Sequence, residues 1–78
     1  MKLLDSIKDA QAKKGWTDGQ FSKQLRMNQS QWSRIKSGQR EMGLRFLRAV
    51  ARVFPELQWQ IADYVVKGGN GHDRKGNL

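Results

Sequence analysis

Cysteine is absent from this chain of 78 residues. Its absence excludes disulfide bonds, thiolate metal sites and cysteine nucleophiles, so apolar packing alone has to stabilise the fold. Such a composition fits a reducing compartment, and we expect the protein in the cytoplasm.

Long apolar runs are absent as well. No stretch approaches the roughly 18 apolar residues that a membrane span requires. The N-terminal segment MKLLDSIKDA carries Asp5 and Asp9 where the apolar core of a signal peptide would have to lie. We therefore predict neither a transmembrane segment nor a secretory signal.

Residues suited to acid–base or metal chemistry are scarce. His72 is the only histidine, the acids are scattered along the sequence, and no glycine-rich loop stands between a predicted strand and a helix. An acid–base pair, a metal site or a phosphate-binding loop has no basis in such a pattern. We expect no enzymatic activity, no cofactor and no metal.

Acidic residues are fewest where basic residues are most frequent. The formal charge of the chain is +8. Most of it falls in residues 23–52, where eight lysines and arginines stand against Glu41 alone and give +7. Such a concentration predicts a polyanionic partner, with a basic surface that serves only solubility as the competing interpretation.

The length allows one small domain, because a chain this short buries only roughly 60% of its unfolded surface. Apolar residues recur at helical spacing through residues 1–66, which predicts an all-α domain of five helices. We place the helices at residues 2–14, 18–25, 29–37, 44–54 and 56–66. Residues 67–78 are polar and glycine-rich, and we predict a disordered tail there because they bury too little to offset their ordering entropy.

Each predicted helix has an apolar face that we assign to the core. Gly15 and Gly38 are placed to end the first and third helices, and Pro55 ends the fourth. Leu3 or Leu4 fits the spacing of the first helix, and we assign its stripe of Leu4, Ile7 and Ala10 to the core. The other core positions are Phe21 and Leu25 in the second helix, Trp32 and Ile35 in the third, Leu44, Leu47, Val50, Ala51 and Phe54 in the fourth, and Leu57, Ile61 and Tyr64 or Val65 in the fifth.

Residues 17–38 are the most informative segment, because they predict two short helices joined by a tight turn. Each helix begins with a capping box, in which a cap residue and a glutamine three positions later satisfy exposed backbone N–H groups. Each cap is flanked by a hydrophobic staple. The boxes are Thr17 with Gln20 and Asn28 with Gln31, and the staples are Trp16 with Phe21 and Met27 with Trp32.

The third helix has a short polar face opposite Trp32 and Ile35. Serines are mediocre helix formers, and three of them on one face leave the backbone accessible to another surface. This pattern favours close approach of a partner. The face consists of Gln29, Ser30, Ser33, Arg34 and Ser37.

Over residues 4–64 the chain resembles the lambda-repressor-like helix-turn-helix proteins of the Cro/repressor (XRE) type. The resemblance implies a compact five-helix DNA-binding domain and a small transcriptional regulator of the repressor or Cro type. Residues 33–40, SRIKSGQR, are similar to the family's end of helix three and its exit loop. The family's apolar motif positions fall on Phe21, Leu25, Met27, Trp32 and Ile35, and its small residue in helix two falls on Ser22.

The resemblance also implies roles for individual residues, with helix three in the major groove of double-stranded DNA. Gln29 is suited to a bidentate contact with adenine and Arg34 to guanine, while Ser30 and Ser33 suit a base or a phosphate. For both serines, plain solvent exposure competes with this role. The phosphate-binding candidates are Lys14, Lys36, Ser37, Arg40 and Arg45, whereas Arg48 and Arg52 are expected to be only solvated.

The sequence departs from the family pattern at three places. Arg26 stands where the family commonly has glycine, so that either Arg26 adopts a left-handed conformation or the turn differs. Asp18 stands where the family often has a phosphate-binding glutamine, and its charge would repel DNA. The positions of a common ion pair between helices one and three hold Gln11 and Lys36, which predicts that Lys36 is free for phosphate.

Trp16 and Trp32 occupy staple and core positions, so we assign both to the core. Trp59, with Ala62 and Val66, is either core or a dimer interface that sets two recognition helices about 34 Å apart. We expect a homodimer, formed through the fifth helix or only on DNA.

The alternative function is a protein-interaction module of the antitoxin or antirepressor type, which holds a partner protein through helix 56–66 or the tail.

Overall fold

The computed structural model describes residues 2–67. Within that range the chain is all-helical, as predicted, and compact, with a Cα radius of gyration of 12.5 Å. The helices are α1 (Leu3–Lys14), α2 (Asp18–Gln24), α3 (Gln29–Lys36), α4 (Leu44–Val53) and α5 (Gln58–Val66), with a 3-10 turn at Pro55–Leu57 before α5. The predicted tail, including His72, lies outside the described residues except for Lys67.

Local signals in the sequence set the helix boundaries. Gly15 ends α1 in the left-handed conformation, with φ 71°, and Gly38 follows α3 with φ 83°. At the start of α2 the Gln20 N–H donates to Thr17 Oγ1 at 3.1 Å, and the Thr17 N–H donates to Gln20 Oε1 at 2.8 Å. The first predicted capping box is therefore formed in full.

The predicted fifth helix is wrong at its start, because α5 begins at Gln58 rather than at Glu56. Proline disfavours a helical residue before it, and Phe54 leaves the helical region with φ −124° and ψ 80°. The chain then makes one 3-10 turn, with Pro55 at its first position, before it resumes α-helical geometry.

Aromatic rings form the centre of the core. The side chains of Phe21, Trp32 and Phe54 are completely buried. Phe21 lies 4.6 Å from Trp32 and 6.0 Å from Phe54 between ring centroids, and Trp32 stacks on Phe46 at 5.8 Å. This contact chain joins α2, α3 and α4, so the core fixes the position of α3. The remaining buried apolar residues are Leu3, Ile7, Ala10, Leu25, Ile35, Met42, Leu47, Val50 and Ile61.

Several predicted core positions need correction. Leu44 is 54% exposed, whereas Phe46, which we did not assign to the core, is 8% exposed. In α1 the fully buried leucine is Leu3, and Leu4 is half-buried. In α5 Val65 is 44% exposed.

Among the helices of residues 2–67, none is long and apolar enough to cross a membrane.

Candidate functional site

The turn between α2 and α3 is tight because Arg26 adopts the left-handed conformation, with φ 59°. Its N–H donates to the Lys23 carbonyl at 3.1 Å, and the Met27 N–H donates to the Ser22 carbonyl at 3.0 Å. Of the two alternatives that the sequence left open, the left-handed one is confirmed. Ser22 is buried where the two helices meet, and its hydroxyl donates to the Asp18 carbonyl at 2.8 Å.

The two faces of α3 are divided as the sequence predicts. Trp32 and Ile35 are buried in the core. The opposite face is solvent-exposed along its whole length, and it consists of Gln29, Ser30, Ser33 and Arg34. At the beginning of the helix the Asn28 N–H donates to Gln31 Oε1 at 3.1 Å, so Gln31 is used within the second predicted cap.

Gly19 provides room for the first side chain of this face. A Cβ atom at Gly19 would lie 3.2 Å from Gln29 Oε1, so the Gln29 carboxamide rests against the backbone at the start of α2. The φ angle of Gly19 is not in the left-handed region, and close approach is therefore the feature that distinguishes this glycine. The sequence pattern gives no signal for this role of Gly19, because the contact spans two helices.

The loop after α3 folds back onto the end of that helix. The Arg34 carbonyl accepts three hydrogen bonds, from Ser37 Oγ at 3.1 Å, from the Gln39 N–H at 2.9 Å and from the Arg40 N–H at 3.3 Å. These bonds hold Arg40, which is exposed, beside the C-terminal end of α3. Ser37 is exposed too, although its hydroxyl proton is already used.

Asp18, the first residue of α2, is the centre of a polar network that joins three helices. Its Oδ1 accepts from Gln11 Nε2 at 2.9 Å and from Trp32 Nε1 at 3.2 Å. Its Oδ2 forms an ion pair with Lys36 Nζ at 2.6 Å. Gln11 closes the network, because its Oε1 also accepts from Trp32 Nε1, at 3.1 Å, and its Nε2 donates to the Trp16 carbonyl.

This network lowers the pKa of Asp18 below its usual range. The hydrogen bond from Lys36 is the largest cause, the one from Gln11 is second, and partial burial acts in the opposite direction. The carboxylate is therefore ionised at neutral pH and matched by one ammonium group.

The prediction that Lys36 is free for phosphate is wrong. Lys36 pairs with Asp18, which lies 18 positions earlier in the sequence. Its ammonium group also lies 6.0 Å from the centre of the Trp32 ring. Because Lys36 compensates the negative charge of Asp18 within the protein, we no longer expect Asp18 to repel a polyanion.

The other basic candidates are exposed on several elements, and Lys14 lies beside Glu56 and Leu57 rather than against a residue of α3. Lys14 and Arg45 are exposed, with Lys14 Nζ 6.0 Å from the Trp16 ring. Arg45 and Arg26 line a cleft of about 180 Å³ between the α2–α3 turn and α4. Arg48 is exposed as predicted. Arg52 is exposed as well but is not only solvated, because it donates to the Gln24 carbonyl at 3.3 Å.

The three tryptophans have different environments. Trp32 is buried, and Trp16 is half-buried against Phe54 at 5.7 Å, so both belong to the core as predicted. Trp59 is 88% exposed, which excludes the core alternative for this residue. Val66 is 85% exposed, and Ala62 is exposed on the same helix, so α5 presents an apolar surface.

The described residues contain no group of three or more histidines, cysteines or acids placed to hold a metal ion. Comparison with family models, with curated proteins and with solved structures finds no match for this chain.

Proposed function

We propose that the chain binds double-stranded DNA in a sequence-specific manner, through a lambda-repressor-like helix-turn-helix formed by α2 and α3. One observation carries the proposal. The short polar face of α3 is exposed while its other face is buried, and it lies within the segment of +7 formal charge. A polyanion with hydrogen-bonding groups at its surface suits such a face.

The dimensions of α3 support this proposal. An α-helix with its side chains is about 10–12 Å in diameter and fits the roughly 12 Å width of the major groove of B-DNA, and the eight residues of α3 run for about 12 Å along its axis. The serines keep the face thin, so the helix backbone can approach the base edges. Gln29 is assigned to adenine and Arg34 to guanine, because their side chains match the donors and acceptors of these bases.

The electrostatics of the surrounding surface agree with this orientation. Lys14, Arg40 and Arg45 are exposed, and we assign them to phosphate contacts together with Ser37. Glu41, the only acid in residues 23–52, lies close enough to Tyr64 that its charge, after burial, raises the pKa of that phenol.

The decisive experiment is a selection of binding sites from random duplex DNA, followed by titration of the selected and a random duplex at several salt concentrations. Arg34→Ala is compared with Arg48→Ala, which removes the same charge from the exposed face of α4. We expect Arg34→Ala to cost about 1–3 kcal/mol on the selected duplex and much less on the random one. Arg48→Ala should affect both duplexes equally and slightly.

Two results would contradict the proposal at different levels. Equal losses from Arg34→Ala on both duplexes would show that Arg34 does not read a base. Absence of salt-dependent binding to any duplex would reject DNA binding altogether, since contacts with phosphate release counterions.

A protein-interaction module of the same fold is the second candidate, and the exposed apolar surface of α5 favours it. Trp59 and Val66 are the most exposed large apolar side chains of the described residues. In this case α5 would hold a partner protein, and the titration above would show neither sequence preference nor salt dependence.

A further inference from the structure

Asp18 forms an ion pair with Lys36 at the end of α3, and its carboxylate also accepts a hydrogen bond from the buried Trp32 of the same helix. Both side chains are partly exposed, with 31% and 32% of their surfaces accessible. The pair is thus at the surface of the α2–α3 unit, beside the face assigned to DNA. Whether Lys36 stays paired with Asp18 therefore determines how much positive charge the α2–α3 unit presents to a partner.

Asp18 cannot easily turn away from Lys36. Its other oxygen, Oδ1, accepts hydrogen bonds from Gln11 and from Trp32, and Trp32 is completely buried. The carboxylate is therefore fixed by the core, while the lysine has a flexible stem. Since Lys36 Nζ and Asp18 Oδ2 are only 2.6 Å apart, the pair contributes no net charge at the protein surface.

We propose that Asp18 is a positioning residue that holds Lys36 away from DNA phosphate and thereby lowers the affinity for every duplex, specific or random. The proposal rests on the DNA-binding function above. Lys36 ends α3 and is followed by Ser37 and Arg40, two of the residues assigned to phosphate. Released from Asp18, its ammonium group would lie beside these residues and add one phosphate contact.

Asp18→Asn tests this role because asparagine keeps an oxygen that accepts from Gln11 and Trp32 but has no charge to hold Lys36. The matched control is Asp9→Asn. Asp9 pairs with Lys13 at 3.1 Å on the exposed surface of α1, so the control removes the same charge and releases a lysine elsewhere.

The measurement is duplex affinity as a function of salt for both variants and the wild type. We expect Asp18→Asn to steepen the slope of log affinity against log salt by about 0.9, the value for one further phosphate contact. At low salt its affinity should rise on the order of tenfold on specific and random duplexes alike. Asp9→Asn should leave the slope unchanged, and the double variant Asp18→Asn/Lys36→Gln should return to the slope of the wild type.

The outcomes separate the two proposals. A wild type without salt-dependent duplex binding rejects the proposed function and the role of Asp18 with it. A wild type that binds, with an unchanged slope for Asp18→Asn or an equal gain for Asp9→Asn, rejects only the role of Asp18. The NMR signal of the Trp32 indole N–H and the melting temperature report whether Asp18→Asn is folded.

If Asp18→Asn does not fold, Lys36→Gln tests the same point. Because Lys36 makes no phosphate contact in the wild type under this proposal, Lys36→Gln should change the slope only through the uncompensated charge of Asp18, and by less than Arg40→Ala, which removes a residue assigned to phosphate. A slope that becomes shallower by about 0.9, as much as in Arg40→Ala, would show that Lys36 contacts phosphate in the wild type, and would overturn the proposal.

Discussion

At the scale of single residues, Arg26 is the one non-glycine residue in residues 2–67 with a positive φ, at 59°. A side chain in the left-handed region costs about 1–2 kcal/mol. Glycine removes this strain but adds about 0.5–1 kcal/mol of unfolded-state entropy. We therefore expect Arg26→Gly to raise the free energy of unfolding by up to about 1 kcal/mol, measured by urea denaturation.

Arg26→Ala is the control for this prediction. Alanine removes the guanidinium group but keeps the Cβ atom that causes the strain, so it should bring no gain. Equal stabilisation by both variants would assign the effect to the charge of Arg26 rather than to its backbone.

Asp18 makes the stability depend on pH. Because its pKa is lowered in the folded state, chiefly by the hydrogen bond from Lys36, its carboxylate stabilises the fold above the unfolded pKa of about 4. That contribution is lost as the pH falls through the lower folded pKa. In urea denaturation from pH 7 to pH 2, the difference between wild type and Asp18→Asn should shrink below about pH 4.

Asp63→Asn serves as the comparison for the pH experiment. Asp63 pairs with Lys67 at 3.3 Å, but its side chain is 62% exposed, so its removal should change stability little at any pH. A difference between wild type and Asp18→Asn that stays constant over the whole range would contradict the assignment to Asp18.

Gly19 couples α2 to the first side chain of the α3 face. Alanine suits a helix better than glycine, so Gly19→Ala should stabilise the fold by about 0.5–1 kcal/mol in urea denaturation. The new Cβ atom, 3.2 Å from Gln29 Oε1, should also displace the carboxamide and weaken binding to the selected duplex but not to a random one. In a Gln29→Ala background Gly19→Ala should have no further effect on binding, and an equal loss in both backgrounds would contradict the coupling.

At the scale of helices, α4 shows where periodicity is ambiguous. The predicted face that begins at Leu44 and the observed face that begins at Phe46 share Leu47, Val50 and Phe54, so the spacing fits both. Packing decides between them, since Phe46 stacks on Trp32 while Leu44, the first residue of α4, remains exposed. The spacing of apolar residues within α4 cannot predict that Phe46 packs against Trp32, because Trp32 belongs to another helix.

Truncation at the two positions should have very different effects. Phe46→Ala removes a buried ring in contact with Trp32, and we expect it to lower the free energy of unfolding by about 3–5 kcal/mol. Leu44→Ala should change it by less than about 1 kcal/mol, because the side chain is already 54% exposed. Urea denaturation of both variants measures this difference, and losses of similar size would contradict the observed orientation of α4.

The candidate site was predictable in its local part only. The capping box at Thr17, the left-handed Gly15 and Gly38, and the exposed face of α3 follow from spacing within a few residues of one another. The partner of Lys36 and the role of Gly19 do not, because each depends on the distance between two packed helices.

At the scale of the whole molecule, the acids are arranged so that residues 23–52 keep most of their charge. Asp9 and Asp63 pair with Lys13 and Lys67, which lie outside that segment. Asp18 is paired with a lysine inside it, at 2.6 Å. The basic segment of residues 23–52 therefore keeps most of its positive charge, apart from that of Lys36, and this suits the phosphate contacts proposed above.

The apolar surface of α5 leads to a prediction about assembly. A single short half-site binds weakly, and a second copy joined through Trp59, Ala62 and Val66 would add a second reading helix. Buried tryptophans at interfaces often contribute 2 kcal/mol or more, so Trp59→Glu should weaken self-association by roughly 30-fold or more. Lys8→Gln, on the exposed side of α1, makes the same change in net charge and should have no effect. Sedimentation equilibrium of both variants and the wild type, with and without a selected duplex, provides the test, and a wild type that is monomeric in both conditions would contradict the dimer.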